Sequence, residues 1–396
     1  MTNDAAHNMS ELAVELLQRL QRVLGSGRRP VPLHEPCFRG NEWVYVKECI
    51  DTAWVSSVGK FVDRFEQELA GFAGVRRAVA TVNGTAALHI CLKLAGVEPN
   101  DEVIIPALTF VATANAVCYC GAMPHFADSE EVTLGLDPAK LDQWLAKSAR
   151  LQEGVCVNQQ TGRRISALVP IHTFGHPSRL EALADVARKH QLALVEDAAE
   201  SLGSYYQGRH VGHWGKVSAL SFNGNKTITT GGGGAILTND PNLADMAKHL
   251  TTTAKIPHRW KYEHDQVGYN YRLPNLNAAL GCAQMEQLPA FLDSKRRLAT
   301  KYREALEGLD GARFVQEPPD CVSNYWLCTL LLQPGREQEL DQILEATNAA
   351  GIMTRPVWAL LSSLPMYRDC PRMNLECAAS LERRLINVPS SPALCL

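Results

Sequence analysis

The chain has 396 residues, 46% of them hydrophobic and 20% charged, the balance of a soluble globular protein with a large core. A formal net charge of -3 argues against a generic nucleic-acid binder, which carries a basic excess. No apolar run approaches the roughly 20 residues of a membrane span, and the N-terminus lacks a signal-peptide pattern, so a cytoplasmic location away from any membrane is expected.

Residues 10–24 place Leu12, Leu16, Leu17, Leu20 and Leu24 at helical spacing among Glu and Arg. They predict an amphipathic helix covering a domain or subunit contact, within an N-terminal helical extension over 1–30. From about 78 to 235, short apolar runs alternate with helical patterns. Residues 78–82 read as a strand, and Asn83-Gly84-Thr85 opens an apolar helix to about 95. A second strand over 102–106 precedes a helical stretch over 112–120, and 167–170 is another strand candidate.

Ser178 stands three residues before Glu181, a capping-box signature for a helix running to about 190. The run 192–195 ends in Glu196-Asp197, and 217–222 is a strand. A glycine run, Gly231 to Gly234, leads into Ala235-Ile236-Leu237. Such alternation predicts an α/β fold: a mainly parallel sheet with helices on both faces and ligands at the carboxyl ends of its strands. After about 288 the texture changes. Helical patterns over 293–309 and 337–350, a strand-like run over 324–332 and a proline-rich end predict a smaller α+β domain over 289–396, with 31–288 as the large domain.

The 12 cysteines are scattered, mostly inside apolar segments such as those of Cys91, Cys118 and Cys282, and read as reduced, buried thiols. Cys118 and Cys120 form one isolated pair with no second pair at a zinc-like spacing, so no metal site is expected. His172, His176, His210 and His213 show no ligand pattern and read as loop residues.

Four features carry chemistry. Lys226, in Ser221-Phe-Asn-Gly-Asn-Lys226, stands just beyond a buried strand, where desolvation favours the neutral amine that forms an imine. A P-loop is a poor rival, because Asn225 separates the lysine from the glycine. Asp197 closes a buried strand, where a carboxylate needs a partner such as a protonated pyridine nitrogen. Asn83-Gly84-Thr85-Ala86 combines close backbone approach with a helix N-terminus, which suits a phosphate. Phe110, beyond the strand over 102–106, suits stacking on a planar ring. Taken alone, each has an ordinary reading: a solvated lysine, an N-cap aspartate, a capped helix, a core phenylalanine. Their order, phosphate turn, aromatic, strand-end Asp and lysine, supplies every part of a pyridoxal phosphate site.

With these motifs the sequence resembles the DegT/DnrJ/StrS sugar aminotransferases, from about residue 32 to the C-terminus. The resemblance rests on Asn83-Gly-Thr-Ala-Ala-Leu88, Pro106-Ala-Leu-Thr-Phe110, Glu196-Asp-Ala-Ala199, Ser221 to Lys226 with Gly231 to Gly234, and Gly268-Tyr-Asn-Tyr-Arg272. It implies a fold-type I aminotransferase: a seven-stranded mixed, mainly parallel sheet flanked by helices, plus the smaller C-terminal domain. It implies pyridoxal phosphate with Lys226 as Schiff-base lysine, Asp197 at the pyridine nitrogen and Phe110 on the ring. Thr85, Ala86 and Ser221 would surround the phosphate, with Gly84 and Asn223 beside them. Asn270 would reach the phosphate of the neighbouring subunit in a homodimer. Glu200 departs from the His or Gln common at its position, and its role stays open.

Pro32-Leu-His-Glu-Pro36, the segment from Trp54 to Asp63 and Arg355-Pro-Val-Trp358 resemble the branch that makes UDP-N-acetylbacillosamine and legionaminic acid precursors. That implies UDP-2-acetamido-2,6-dideoxy-4-keto-glucose as acceptor and L-glutamate as donor, while related branches use GDP-, dTDP- or non-nucleotide keto sugars. His34, Lys60, Tyr325 and Arg355 are the candidate contacts to the nucleotide sugar. A sugar dehydratase on the same fold would carry His in place of Lys226, and a non-catalytic scaffold would have no need of both Lys226 and Asp197.

Overall fold

The computed structural model describes residues 9–27 and 29–396. Seven short strands pair into its central sheet: β1 (Arg77–Thr81), β2 (Glu102–Pro106), β3 (Met123–Ala127), β4 (Ile165–Leu168), β5 (Ala193–Asp197), β6 (Val217–Ser221) and β7 (Gly234–Thr238). Their order is β1-β7-β6-β5-β4-β2-β3, with parallel pairing from β6 through to β3. Only β7 runs antiparallel to its neighbours. The connection 222–233 contains no helix, and without a crossover the chain has to return antiparallel.

Successive side chains alternate between two cores. Val79, Val195 and Ile236 enter one, while Ala78, Ala80 and Leu237 enter the other. Both faces are covered, which is why these strands read as continuous apolar runs. The strand β3 is not legible in the sequence. Its Met-Pro-His-Phe-Ala run breaks the apolar pattern, and it is the edge strand, paired with β2 and on its other side bridged only at Phe126 to Arg372, so a proline is tolerated.

A second, four-stranded sheet is antiparallel throughout: β8 (Ala312–Phe314), β9 (Cys328–Leu332), β10 (Arg355–Pro356) and β11 (Leu385–Val388), in the order β8-β9-β11-β10. The helix Glu11–Leu24, capped by Ser10 Oγ on Ala13 N–H at 3.2 Å, buries Leu12, Leu16 and Leu20 in the core of this sheet. It thus packs on the C-terminal part of the chain. The helix Asn275–Leu306 starts well before the expected position and carries Pro289 within it. Its first half packs on the large sheet through Ala278, Cys282 and Leu288, and its second half on the small one through Leu298 and Tyr302.

Two expectations need correction. The helix after β4 is Leu180–Lys189, with Arg179 at its N-cap, so Ser178 does not open a capping box. Its Oγ instead donates to Ile171 O at 2.8 Å, and its N–H is taken by His172 Nδ1. Cys118 is exposed rather than buried, because the helix Ala112–Tyr119 turns that face outward. Among the described residues, no helix is long and apolar enough to cross a membrane.

Candidate functional site

Parallel strands end together, so the segments beyond β2, β5 and β6 converge at one edge of the sheet. Between them lies a cavity of about 370 Å³. Gly84, Thr85, Phe110, Asp197, Glu200, Ser221, Asn223 and Lys226 all line it, so eight sequence-predicted residues are brought together. One rim is the helix Gly84–Ala95. Helix geometry leaves the N–H groups of Gly84 and Thr85 without an intrahelical acceptor, at the positive end of the dipole. Close approach is built in: a Cβ on Gly84 would lie 2.8 Å from Ser221 Cβ and 3.3 Å from Leu220 O. Gly234 is tighter still, since its Cβ would meet the Asn83 backbone at 2.5 Å.

Asp197 is buried at the end of β5. Thr113 Oγ1 donates to its Oδ2 at 2.7 Å, and Ala199 N–H to its Oδ1 at 3.2 Å. Burial pushes its pKa up, against the opposing pull of these donors and of Lys226. A carboxylate so desolvated calls for a cationic partner in the cavity it faces. Its neighbour Glu196 points away from the cavity. It accepts from the N–H groups of Gly212, Trp214 and Gly215 at 2.6–2.7 Å and lies 3.3 Å from His172 Nε2.

Lys226 Nζ sits 3.5 Å from Glu200 Oε1 and 3.8 Å from the centre of the Trp326 ring. Burial raises the Glu200 pKa, and Lys226 opposes that rise. Phe110, which lines the same cavity, is 52% exposed, unlike a core phenylalanine, with the Trp358 ring centre 6.4 Å from its own. A helix N-terminus, a glycine cradle, a buried carboxylate, an open aromatic face and a lysine within one cavity fit pyridoxal phosphate part by part.

Other expected residues stand elsewhere. The Ala86 N–H is taken by Asn83 Oδ1 at 2.8 Å, and Ala86 does not line the cavity. Asn270 accepts from Arg272 at 3.1 Å on the surface. Lys60 pairs with Glu48 beside a different cavity. Tyr325 is buried, its hydroxyl accepting from Glu317 N–H at 3.1 Å and its ring against His176. Arg355 is an exposed residue bonded to Asn348. His34 accepts from Lys295 Nζ at 3.0 Å behind the site.

Sequence reasoning missed Thr113, Trp326 and Trp358. Thr113 had a usable signal, a hydroxyl three positions after Phe110 in the first turn of the helix Ala112–Tyr119. Trp326 had none, because its partners Lys226 and Asn225 lie about a hundred residues away.

Residues 36–396 match the sequence profile of the DegT/DnrJ/EryC1/StrS aminotransferase family. The chain belongs to that family. It is 38% identical to a GDP-perosamine synthase of Caulobacter vibrioides, covering 91% of this chain and 92% of the relative. A GDP-perosamine synthase of Escherichia coli O157:H7 is 36% identical, covering 92% and 94%. Among solved structures, a DegT/DnrJ/EryC1/StrS aminotransferase from Brucella abortus superposes with a TM-score of 0.80 at 26% identity, covering 89% of this chain and 90% of that one. The chain is therefore a pyridoxal-phosphate-dependent sugar aminotransferase with the fold-type I architecture.

Proposed function

We propose that the enzyme transfers an amino group from L-glutamate to C4 of a GDP-linked 4-keto-6-deoxy sugar, with Lys226 as the cofactor-bearing and proton-moving residue. The observation that carries this reading is the convergence of Lys226, Asp197 and the Gly84–Ser221 cradle on one cavity. Pyridoxal phosphate, when bound, supplies the electron sink that amino transfer needs. The N–H groups of Gly84 and Thr85, with the hydroxyls of Thr85 and Ser221, would hold its phosphate. Asp197 would pair with the ring nitrogen and favour its protonated form, and Thr113 keeps Asp197 aimed. Phe110 covers a face of the ring. The Lys226 amine would serve as the general base and acid at the donor carbon, a role worth about 10²–10⁴-fold. Glu200 and Trp326 hold its amine in place.

The sugar carrier is where the relatives redirect the reading. The motifs near residues 32–36 and 355–358 suggest a UDP-linked acceptor. The relatives named GDP-perosamine synthase favour guanosine diphosphate instead. We also propose a homodimer in which Asn270 serves the neighbouring site. The exposed apolar side chains Trp43, Val44, Ile50, Trp54 and Val58 support it, a density monomers rarely leave open.

An absorbance spectrum of wild type and Lys226→Ala, before and after L-glutamate, tests the site. Wild type is expected to show a visible cofactor band that glutamate moves to the near ultraviolet, and the variant no such response. A wild type without a band after adding pyridoxal phosphate would overturn the reading. Product formation from GDP- against UDP-linked 4-keto sugars then tests the carrier, and turnover of the UDP sugar alone would restore the first expectation.

A further inference from the structure

Lys295, on the helix Asn275–Leu306, is 1% exposed, and the groups that accept from its amine are all neutral. A lysine without a counter-ion is costly in a core, and an apolar residue of similar size would normally pack better. Three groups surround Nζ: His34 Nε2 at 3.0 Å, Trp326 O at 3.1 Å and Ser390 O at 2.5 Å, the two carbonyls accepting from it, and burial lowers its pKa to about 7.

The middle acceptor leads to the active site. Trp326 closes a turn in which Tyr325 is held at φ +46°, a left-handed conformation that costs free energy for a tyrosine. Asn324 Nδ2 anchors that turn to Glu200 O and Leu202 O at 2.9 Å. The indole Nε1 donates to Asn225 O at 2.7 Å, one residue before Lys226. The ring face is thereby laid against Lys226 Nζ, which also stands 3.5 Å from Glu200 Oε1.

We propose that Trp326 confines the Lys226 amine and that Lys295 is the positioning residue that holds Trp326 there, an inference that rests on Lys226 being the reactive lysine. Lys295 fixes the turn's backbone, and Asn225 fixes the ring's edge. With either anchor gone, the strained turn relaxes and the indole leaves the amine.

The test is native-state reductive methylation of the full-length protein stripped of cofactor, with the rate at Lys226 read by peptide mass spectrometry against exposed Lys261. Trp326→Leu is expected to speed labelling of Lys226 about fivefold, the scale of one lost cation–π contact. Lys295→Met is expected to do the same, and the double variant to add nothing beyond Trp326→Leu. A purely structural Lys295 would lower the unfolding temperature and leave the Lys226 rate unmoved. A folded Lys295→Met protein with the wild-type rate, or a double variant with multiplied effects, would overturn the proposal. Should Lys295→Met fail to fold, His34→Leu removes one acceptor and is expected to give a smaller rise, and no rise there would be equally fatal. Failure of the site reading itself is separate: it would appear as a cofactor band that survives in Lys226→Ala.

Discussion

Glu200 Oε1 stands 3.5 Å from Lys226 Nζ, and the other carboxylate oxygen is held at 2.9 Å by Phe174 N–H. The sequence marks Glu200 as a departure without a role, and the fold turns it toward the lysine. The pair joins two strand ends, β5 and β6, whose parallel pairing sets the spacing. A carboxylate placed there orients the amine whenever Lys226 is free of cofactor.

Burial is the largest influence on Glu200 and raises its pKa, with Lys226 and Phe174 N–H only partly offsetting it. A carboxyl raised on folding contributes stability that is fully present below its unfolded pKa and lost as pH rises through the folded value. Glu200→Gln keeps an acceptor for Phe174 N–H and removes that loss. In cofactor-free protein its unfolding temperature is expected to exceed wild type at pH 8 and to match it near pH 4, measured by thermal unfolding across pH. Equal curves at both pH values would contradict the burial argument.

Gly84 and Gly234 make a contrasting pair. An added Cβ at Gly84 meets Ser221 Cβ at 2.8 Å and Leu220 O at 3.3 Å, a single side-chain atom inside 3.0 Å that yields only with a small shift of the strand end, so Gly84→Ala is expected to fold and to bind pyridoxal phosphate more weakly by about 1–3 kcal/mol of crowding. At Gly234 the obstacle is the backbone of Asn83 and Gly84, at 2.5–2.7 Å, which cannot shift without moving the helix. Gly234→Ala is therefore expected to lose more unfolding temperature than Gly84→Ala. Cofactor titration beside thermal melts separates the two, and a reversed order would disprove the assignment of the cradle.

Much of the site is legible in the amino-acid sequence. The strands β2, β5 and β6 are marked by apolar runs, and the ends of β5 and β6 by Asp197 and Lys226, because a buried parallel strand leaves little freedom in composition. What the sequence hides is pairwise geometry. The edge strand β3 is hidden by its proline and histidine, and the antiparallel return of β7 by a glycine run that reads only as a loop. Tyr325 stands out in the sequence, whereas its neighbour Trp326 is the residue that faces the lysine. A one-residue difference inside an apolar run carries no local mark when the turn, here with φ +46° at Tyr325, decides which ring points in.

Thr113 holds Asp197 through a short bond of 2.7 Å. Thr113→Val keeps the shape and removes a hydrogen bond to a carboxylate, worth about 1.5–3 kcal/mol. The loss leaves Asp197 harder to ionise, so the variant is expected to bind pyridoxal phosphate about tenfold or more weakly while its fold is unchanged. Fluorescence titration with the cofactor measures this, and wild-type affinity in the variant would remove Asp197 from its place at the ring nitrogen.

Glu196 offers the opposite pH signature from Glu200. Burial pushes its carboxyl up, yet His172 and the surrounding N–H groups outweigh that and hold it below the usual 4.5. A carboxyl lowered on folding contributes stability present above its unfolded pKa and lost as pH falls through the folded value, so the loss belongs below about pH 4.5. Glutamine is no conservative replacement here. Oε1 accepts from Trp214 and Gly215 and Oε2 from Gly212, so an amide in either orientation turns its NH₂ onto a backbone N–H. Glu196→Gln is expected to cost about 3–5 kcal/mol at pH 7, the scale of breaking a satisfied buried charge, with a deficit relative to wild type that narrows as pH falls below about 4.5. Denaturant unfolding stepped from pH 7 down to pH 3 checks both parts, and a variant as stable as wild type at pH 7 would show that the loop 212–215 finds its partners elsewhere.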